Sequence, residues 1–337
     1  MFVAWRDLRF AKGRFALMGA VIVLITLLVG LLSGLTAGLG QQNISAIAGL
    51  PADKITFSHQ ISYADSTVTT EQWRRWSQVP GVISAEPVGI STTKATAGSR
   101  SVTVSAFGVR PGSTLTRVDP GQVVLSVTAA TDLGVTSGDV LTLGDQERVV
   151  AAIRGDESFS HLPVVWTTLA GEPTVLALRT DGADIATADR AIGTHTVSRD
   201  ESYAAIGSYR SENGSLQLMR GFLFVIAALV IGAFFTVWTI QRSLDIAVLK
   251  ALGASTAALL RDALGQAAVL LLTGTLTGAV LAAAIGAAVA GTVPFQLTPA
   301  TLMLPAAVMT VLGMLGAALS VRRITTVDPL TALGSAR

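Results

Sequence analysis

The longest stretch without a charged side chain runs from residue 263 to residue 321, a length of 59 residues. A helix crosses the hydrocarbon core of a bilayer with about 20 apolar residues, so this stretch is too long for one span. Two prolines, Pro294 and Pro299, divide it, because proline interrupts a helix interior. With two further apolar stretches, the sequence predicts a membrane protein with four transmembrane α-helices, at 15–39, 219–241, 262–290 and 301–321.

The composition supports this class and excludes several others. Half of the residues are hydrophobic and only 14% are charged, whereas soluble domains are about one quarter charged. Without cysteine there is no disulfide, thiolate metal site or thiol catalysis, and three histidines leave little material for a metal enzyme. A formal net charge of +2 gives no indication of a nucleic-acid partner. We therefore expect no catalytic residues, no metal site and no intrinsic cofactor.

The distribution of basic residues predicts the orientation. Ten basic and four acidic residues lie in the two terminal segments and in the segment between the second and third spans. By the positive-inside rule these parts are cytoplasmic, in a multi-pass protein of the cell membrane. The apolar stretch at 15–39 exceeds the roughly 7–15 residues of a signal-peptide core, so we expect an uncleaved anchor. The predicted segments outside the spans are an interfacial helix at 1–14, an extracytoplasmic domain at 40–218, a cytoplasmic coupling loop at 242–261, an outer loop at 291–300 and a cytoplasmic tail at 322–337.

The large segment between the first two spans has the patterns of an α+β domain. Half-buried strands are predicted from alternating apolar residues at 101–107, 140–143 and 175–178.

Two helices are predicted within this domain. Thr70 is expected to cap the first, which ends before Pro80. The second is expected to begin at Ser198, because Ser198 and Glu201 fit a capping box, and to have a weak point at 213–214.

Glycines recur at every fourth residue on the outer half of the first span, at Gly30, Gly34 and Gly38. Small residues at this spacing let another helix approach closely in lipid. The neighbouring helix can belong to a second subunit or to the same chain. We favour the first alternative and predict that these three glycines pack a homodimer.

The segment after the second span is more apolar than a cytoplasmic turn requires. Its apolar residues give a short helix one hydrophobic face, and Gly253 is expected to end that helix. This face needs a partner, either the membrane surface or another protein.

Residues 245–255 resemble the hallmark of MacB/FtsX-type ABC-transporter permeases, where the matching stretch docks on the ATPase subunit. Asp245 stands where glutamate is usual, which keeps the charge. Residues 5–8 and 322–333 also resemble the opening and closing motifs of that family. The resemblance implies a homodimer, a separate cytoplasmic ATPase in two copies, and ATPase-coupling roles for Asp245, Ile246, Val248, Leu249, Lys250, Leu252 and Gly253.

The lysines indicate that this chain does not hydrolyse ATP by itself. A Walker A loop requires a lysine followed by serine or threonine. The residues after the four lysines are Gly13, Ile55, Ala95 and Ala251. The chain is therefore expected to be a transport subunit and not an enzyme, with ATP bound by the partner.

The compact outer domain and the single four-span unit most resemble the heme-export branch of the family, which implies heme as the substrate. Heme requires an iron ligand such as histidine, methionine or tyrosine, and cations for its propionates. His161 is the histidine of the outer domain that best fits a ligand, although a surface or core role is the simpler interpretation. The candidate substrate residues lie near the predicted outer ends of the first two spans: Gln42, Tyr209, Arg210, Glu212, Met219 and Arg220.

Two other functions fit the same residues. One is an FtsX-like transducer whose outer domain activates a cell-wall hydrolase, although such outer domains are usually shorter. The other is efflux of lipoproteins or peptides. For Met219 and Arg220 the ordinary alternative to a ligand role is packing between helices and snorkelling to lipid headgroups.

Overall fold

The computed structural model describes residues 12–241, 248, 253, 255–289 and 291–322. It divides into two compact units. One consists of residues 39–214, and the other contains the described residues before and after that range. The predicted interfacial helix at 1–14 lies almost entirely outside the described residues, as do residues 323–337 of the predicted tail.

Among the described residues, four helices are long and apolar enough to cross a membrane, which confirms the predicted number. They are α1 (Lys12–Ala48), α5 (Gly207–Gln241), α6 (Thr256–Val289) and α7 (Pro299–Arg322). The first two are longer than the predicted spans, because α1 and α5 continue into the unit at 39–214. Hydropathy detects only the part of a helix that faces hydrocarbon.

Within the membrane unit, α1 and α6 approach each other through small residues. A Cβ atom added to Gly274 would lie 2.7 Å from Cγ2 of Ile22, and one added to Gly278 would lie 2.7 Å from Cβ of Thr26. Small residues on one helix therefore accommodate branched side chains on the other, as expected for helix association in lipid.

The unit at 39–214 is built on a single mixed sheet with short helices, so the predicted α+β class is confirmed. Its strands are β1 (Lys54–Phe57), β2 (Val82–Ala97), β3 (Arg100–Val109), β4 (Gln122–Leu125), β5 (Val140–Leu143), β6 (Gln146–Ile153), β7 (Ser158–Phe159), β8 (Leu162–Thr168), β9 (Val175–Thr180) and β10 (His195–Ser198). Its helices are α2 (Thr70–Trp76), α3 (Val127–Leu133) and α4 (Ile185–Ile192), with a 3-10 turn at Glu201–Ala205. The three predicted strands correspond to parts of β3, β5 and β9.

The sheet order is β10-β1-β9-β2-β3-β8-β4-β6-β5, and β5 pairs in turn with β2. The six strands β2, β3, β8, β4, β6 and β5 therefore form a closed ring in which each strand pairs on both sides. This closure removes their free edges. The 16-residue β2 makes this possible, because it pairs with β9 near its start, with β3 further along and with β5 at Ala95 and Thr96.

An aromatic cluster lies at the centre of the unit. Phe57, Tyr63, Phe159, Phe107 and Trp166 form successive edge-to-face pairs with ring centroids 5.0–5.5 Å apart. The last turn of α1 packs into the same core, because Ala46 and Ile47 are buried there. The end of α1 is thus part of the sheet domain.

Three details of the predicted helices differ in the structure. The N-cap of α2 is Thr69, whose side chain accepts a hydrogen bond from the backbone N–H of Gln72. The capping box of Ser198 and Glu201 forms, with its hydrogen bonds at 3.0 and 3.2 Å, but it opens the 3-10 turn and not an α-helix. The helix α5 begins only at Gly207 and passes through 213–214 without a break, since a single glycine costs a long helix only about 1 kcal/mol.

Candidate functional site

A two-residue turn with an unusual backbone joins β7 to β8. Ser160 and His161 have φ values of 52° and 64°, the left-handed region that favours glycine, asparagine and aspartate. For other residues this conformation costs roughly 1–2 kcal/mol each. A turn of this composition therefore needs contacts outside the hairpin to hold it.

The backbone of the turn contacts the last part of α1. The N–H of Ser160 donates to the carbonyl of Asn43 at 3.1 Å, and the N–H of His161 donates to the carbonyl of Gln42 at 3.2 Å. Beside them, the N–H of Ser158 donates to Oγ of Ser45 at 2.7 Å. The hairpin is thus attached to α1 by consecutive hydrogen bonds.

The side chains of the turn contact the first turns of α5. The Nε2 atom of His161 lies 2.8 and 2.9 Å from the two carboxylate oxygens of Glu212, so we assign the ring proton to Nε2. The Oγ atoms of Ser160 and Ser208 are 2.8 Å apart. Since Ser208 and Glu212 are four residues apart, both lie on one face of α5.

Asn43 connects the two helices directly. Its side chain is 1% exposed, and its Nδ2 donates to Glu212 Oε2 at 3.1 Å. Its Oδ1 accepts a hydrogen bond from Oγ of Ser208. We call Asn43, Ser160, His161, Ser208 and Glu212 the clip, because together they tie the hairpin, the end of α1 and the start of α5 to one another.

The six predicted substrate residues do not form one group. Glu212 belongs to the clip, and Gln42 contributes its backbone carbonyl to it. The ring of Tyr209 lies 6.3 Å from that of Tyr203, whose pKa is raised by burial and by the hydrogen bond to Asp200. Arg210 is exposed.

The other two predicted substrate residues, Met219 and Arg220, belong to the membrane unit. Met219 is 52% exposed, and Arg220 donates to the side chain of Gln217.

The space beside the three glycines of α1 is occupied by other residues of the same chain. A Cβ atom at Gly34 would lie 2.2 Å from Cζ of Phe295, and one at Gly38 would lie 1.9 Å from the carbonyl oxygen of Pro294. The predicted dimer contact at these two glycines is therefore corrected to packing within one subunit. Gly30 likewise faces Ala282 of α6, with its added Cβ 3.0 Å from that side chain.

An apolar groove of about 660 Å³ lies between α5 and α7. At its floor the Oγ1 atom of Thr236 and the Oγ atom of Ser320 are 2.9 Å apart, and the two helices cross closely at Gly232 and Gly316. The rest of the lining is aliphatic and aromatic: Phe224, Val225, Ala228, Leu229, Ala233, Leu312, Leu315 and Leu319.

Of the predicted coupling residues, the structure describes two. Val248 is helical and 47% exposed, and Gly253 has a φ of 92°, the left-handed conformation that commonly ends a helix. The others lie outside the described residues: Asp245, Ile246, Leu249, Lys250 and Leu252. In the described part of the chain, no group of three or more histidine and acidic side chains is placed to hold a metal ion.

The membrane unit matches a known family. Residues 218–329 match the family model of the FtsX-like permease C-terminal domain. This range includes the second, third and fourth spans and the segment at 245–255. The chain thus carries an FtsX-like permease C-terminal domain, as its resemblance to MacB/FtsX-type ABC-transporter permeases implied.

Sequence relatives of the permease align with most or nearly all of its length. The putative hemin transport system permease protein HrtB of Staphylococcus haemolyticus is 25% identical, with 99% of each chain aligned. An uncharacterized ABC transporter permease of Mycobacterium bovis is 26% identical over 77% of this chain and 76% of the other. Among solved structures, the periplasmic region of MacB from Actinobacillus actinomycetemcomitans is 12% identical and covers 46% of this chain and 92% of its own, with a TM-score of 0.36.

No local sequence pattern connects the members of the clip. Glu212 is predicted among the substrate residues, and His161 is predicted as a histidine of the outer domain. The sequence feature that could have indicated the clip is the two-residue connection at 160–161. It contains no glycine, although it joins two short strands. The contact joins residues 51 positions apart, which no local pattern indicates.

Proposed function

We propose that this permease is the membrane subunit of an exporter that removes heme, or an amphiphile like it, from the membrane with energy from a separate ATPase. The observation that carries the cargo assignment is the alignment, over 99% of both chains, with a protein named as a hemin transport permease. A matching domain alone would support only the permease class.

The proposed arrangement follows from the charge distribution and the family. The termini and the segment at 242–261 face the cytoplasm, and the sheet domain lies outside the cell. Two copies of the permease assemble with two ATPase subunits, which bind ATP and contact the apolar face of the segment at 245–255. Mechanical displacement of the outer domain by ATP-driven closure then expels the cargo.

The residues that contact the cargo are proposed from the chemical groups that heme requires. Met219 and Tyr209 carry atoms that ligate heme iron, and Arg210 and Arg220 carry charges for the propionates. Glu212 is omitted from this set because both of its carboxylate oxygens are engaged in the clip.

The test is a hemin titration of the permease purified with its ATPase. We expect a shift of the heme absorbance band and a rise in ATP turnover on adding hemin. Met219→Leu is expected to weaken binding, whereas Met303→Leu, at a methionine of similar exposure (56% against 52%), serves as the control. A flat titration, together with normal growth of a deletion strain in excess hemin, would refute the heme assignment.

The same preparation separates the alternative functions. Stimulation of ATP turnover by lipoproteins or peptides instead of hemin would identify an efflux permease for those substrates. Activation of a cell-wall hydrolase without cargo movement would identify a transducer.

A further inference from the structure

The clip is the feature of the sheet domain that the proposed function does not yet use. It contains the two left-handed residues of the described chain that are not glycine, and it places polar side chains from three elements in direct contact. Its two helices, α1 and α5, each continue as one membrane-spanning helix.

The two helices are attached to the sheet domain differently. The end of α1 is buried in the aromatic core, with Ala46 and Ile47 no more than 1% exposed. The start of α5 exposes Gly207, Arg210 and Ser211 and turns one face, with Ser208 and Glu212, toward the hairpin. The hydrogen bonds of that face attach α5 to the hairpin, beside the packing of Tyr209 against the same core.

We propose that the clip is a fixed coupler that holds the outer end of α1 and the start of α5 to the β7–β8 hairpin throughout the transport cycle. Asn43, His161 and Glu212 act as positioning residues. Displacement of the two helices then moves the sheet domain as one body. This inference rests on the proposed function only in its assumption that ATP hydrolysis moves these helices.

The turn geometry supports a permanent contact. Each of the two strained residues uses both its N–H and its side chain: the N–H groups bind α1 and the side chains bind α5. Opening the clip would leave the left-handed turn without the contacts that compensate its conformation. A buried Asn43 would also lose partners for its amide.

A reversible cross-link tests the proposal, because the chain has no native cysteine. The Oγ atoms of Ser160 and Ser208 are 2.8 Å apart, so Ser160→Cys with Ser208→Cys places two sulfur atoms near disulfide distance. We call the bond between these two introduced cysteines the clip disulfide. Thr96→Cys with Ser101→Cys is the control, since this exposed cross-strand pair lies 3.2 Å apart away from the clip.

The first measurement is independent of cargo. With diamide added as the two-electron oxidant, the clip disulfide in the complex with the ATPase is expected to form at rates equal within about twofold without nucleotide and in the ATP-bound trapped state, since access of the thiols does not change. The control pair should behave likewise. A rate that falls tenfold or more in one state for the clip pair alone would show that the clip opens, and would overturn the proposal.

The second measurement is hemin moved per ATP hydrolysed in proteoliposomes. His161→Asn keeps a residue suited to the left-handed turn but is too short to reach Glu212, and it is expected to lower this ratio at least about fivefold. Adding the clip disulfide to His161→Asn should restore the ratio, and reduction with dithiothreitol should abolish the rescue. A merely structural role would lower hemin movement and ATP hydrolysis together and would leave their ratio unchanged.

The outcomes are distinct. If the wild-type complex moves no hemin, the heme assignment is refuted. The rates of disulfide formation then test the coupler by themselves. If His161→Asn keeps the wild-type ratio, or if the disulfide in the otherwise wild-type protein blocks the cycle, the coupler is refuted.

Discussion

The ring of Phe295 occupies the space that a side chain at Gly34 would need. A Cβ atom added at Gly34 would lie 2.2 Å from Cζ of this ring, and one added at Gly286 would lie 2.3 Å from its Cε1 atom. The backbone N–H of Gln296 also donates to the carbonyl of Gly34 at 3.0 Å. The loop between α6 and α7 is thus anchored in a slot formed by one glycine of α1 and one of α6.

Substituting Gly34 by alanine is expected to destabilise the membrane unit. The ring of Phe295 cannot move away from Gly34 without approaching Gly286, so overpacking should cost about 1–3 kcal/mol. The measurement is thermal unfolding of the detergent-solubilised permease, with a lower midpoint expected. Gly265→Ala is the matched control, since nothing lies within 4 Å of the added Cβ in α6.

A double variant checks the cause of that effect. Phe295→Ala empties the slot, so Gly34→Ala should cost much less in its presence than alone. Additive effects of the two substitutions would show that the ring is not what excludes a side chain at Gly34.

The sequence predicted the number of spans and the α+β class, because hydropathy and strand alternation are local properties. It also identified Gly30, Gly34 and Gly38 as a close-packing surface. The spacing alone does not show which neighbour covers this surface, and the structure gives that role to the chain's own loop at Pro294 and Phe295. That loop is about 260 residues away along the chain.

The clip shows the same limit more strongly. Asn43, His161 and Glu212 come from three distant segments that the sheet topology brings together. Each residue alone has an ordinary interpretation, so only the fold identifies the group. The capping box at Ser198 was recognisable for the opposite reason, since its partners are three residues apart.

The coupling segment gives a prediction for assembly. Leu249→Asp places a charge on the predicted apolar face of the segment at 245–255 and should abolish co-purification with the ATPase while the permease still inserts in the membrane. Ser243→Asp adds the same charge outside that face and should leave the complex intact. Co-purification of Leu249→Asp at the wild-type level would contradict the predicted docking helix.

The polar contact in the groove between α5 and α7 should contribute little to stability. Thr236→Val removes the bond to Ser320, but Ser320 keeps its bonds to the carbonyls of Gly232 and Gly316. Interhelical hydrogen bonds in membranes average about 0.6 kcal/mol, so we expect a loss below about 1 kcal/mol in thermal unfolding.

The control for this substitution is Thr273→Val, whose hydroxyl bonds to the carbonyls of Val269 and Leu270 in its own helix. It should have no interhelical effect. A loss at Thr236 several times larger than at Thr273 and above about 1 kcal/mol would mean that the groove depends on this contact far more than the geometry indicates.

The sheet domain should lose stability at alkaline pH through Tyr63. This side chain is 6% exposed, its hydroxyl donates to Oγ of Ser202 at 2.9 Å, and burial raises its pKa well above the ordinary value of 10.0. The unfolded chain releases the phenol proton above pH 10.0 while the folded chain retains it. The contribution of buried Tyr63 to the free energy of unfolding is therefore fully present below that pH and falls as the pH rises above it.

The substitution Tyr63→Phe tests this cause. It keeps the ring contacts and loses the hydrogen bond, at a cost of about 1 kcal/mol at neutral pH. Thermal unfolding on both sides of pH 10.0 should therefore show a steeper decline for the wild-type protein than for Tyr63→Phe, and parallel declines would show that Tyr63 does not set the alkaline limit.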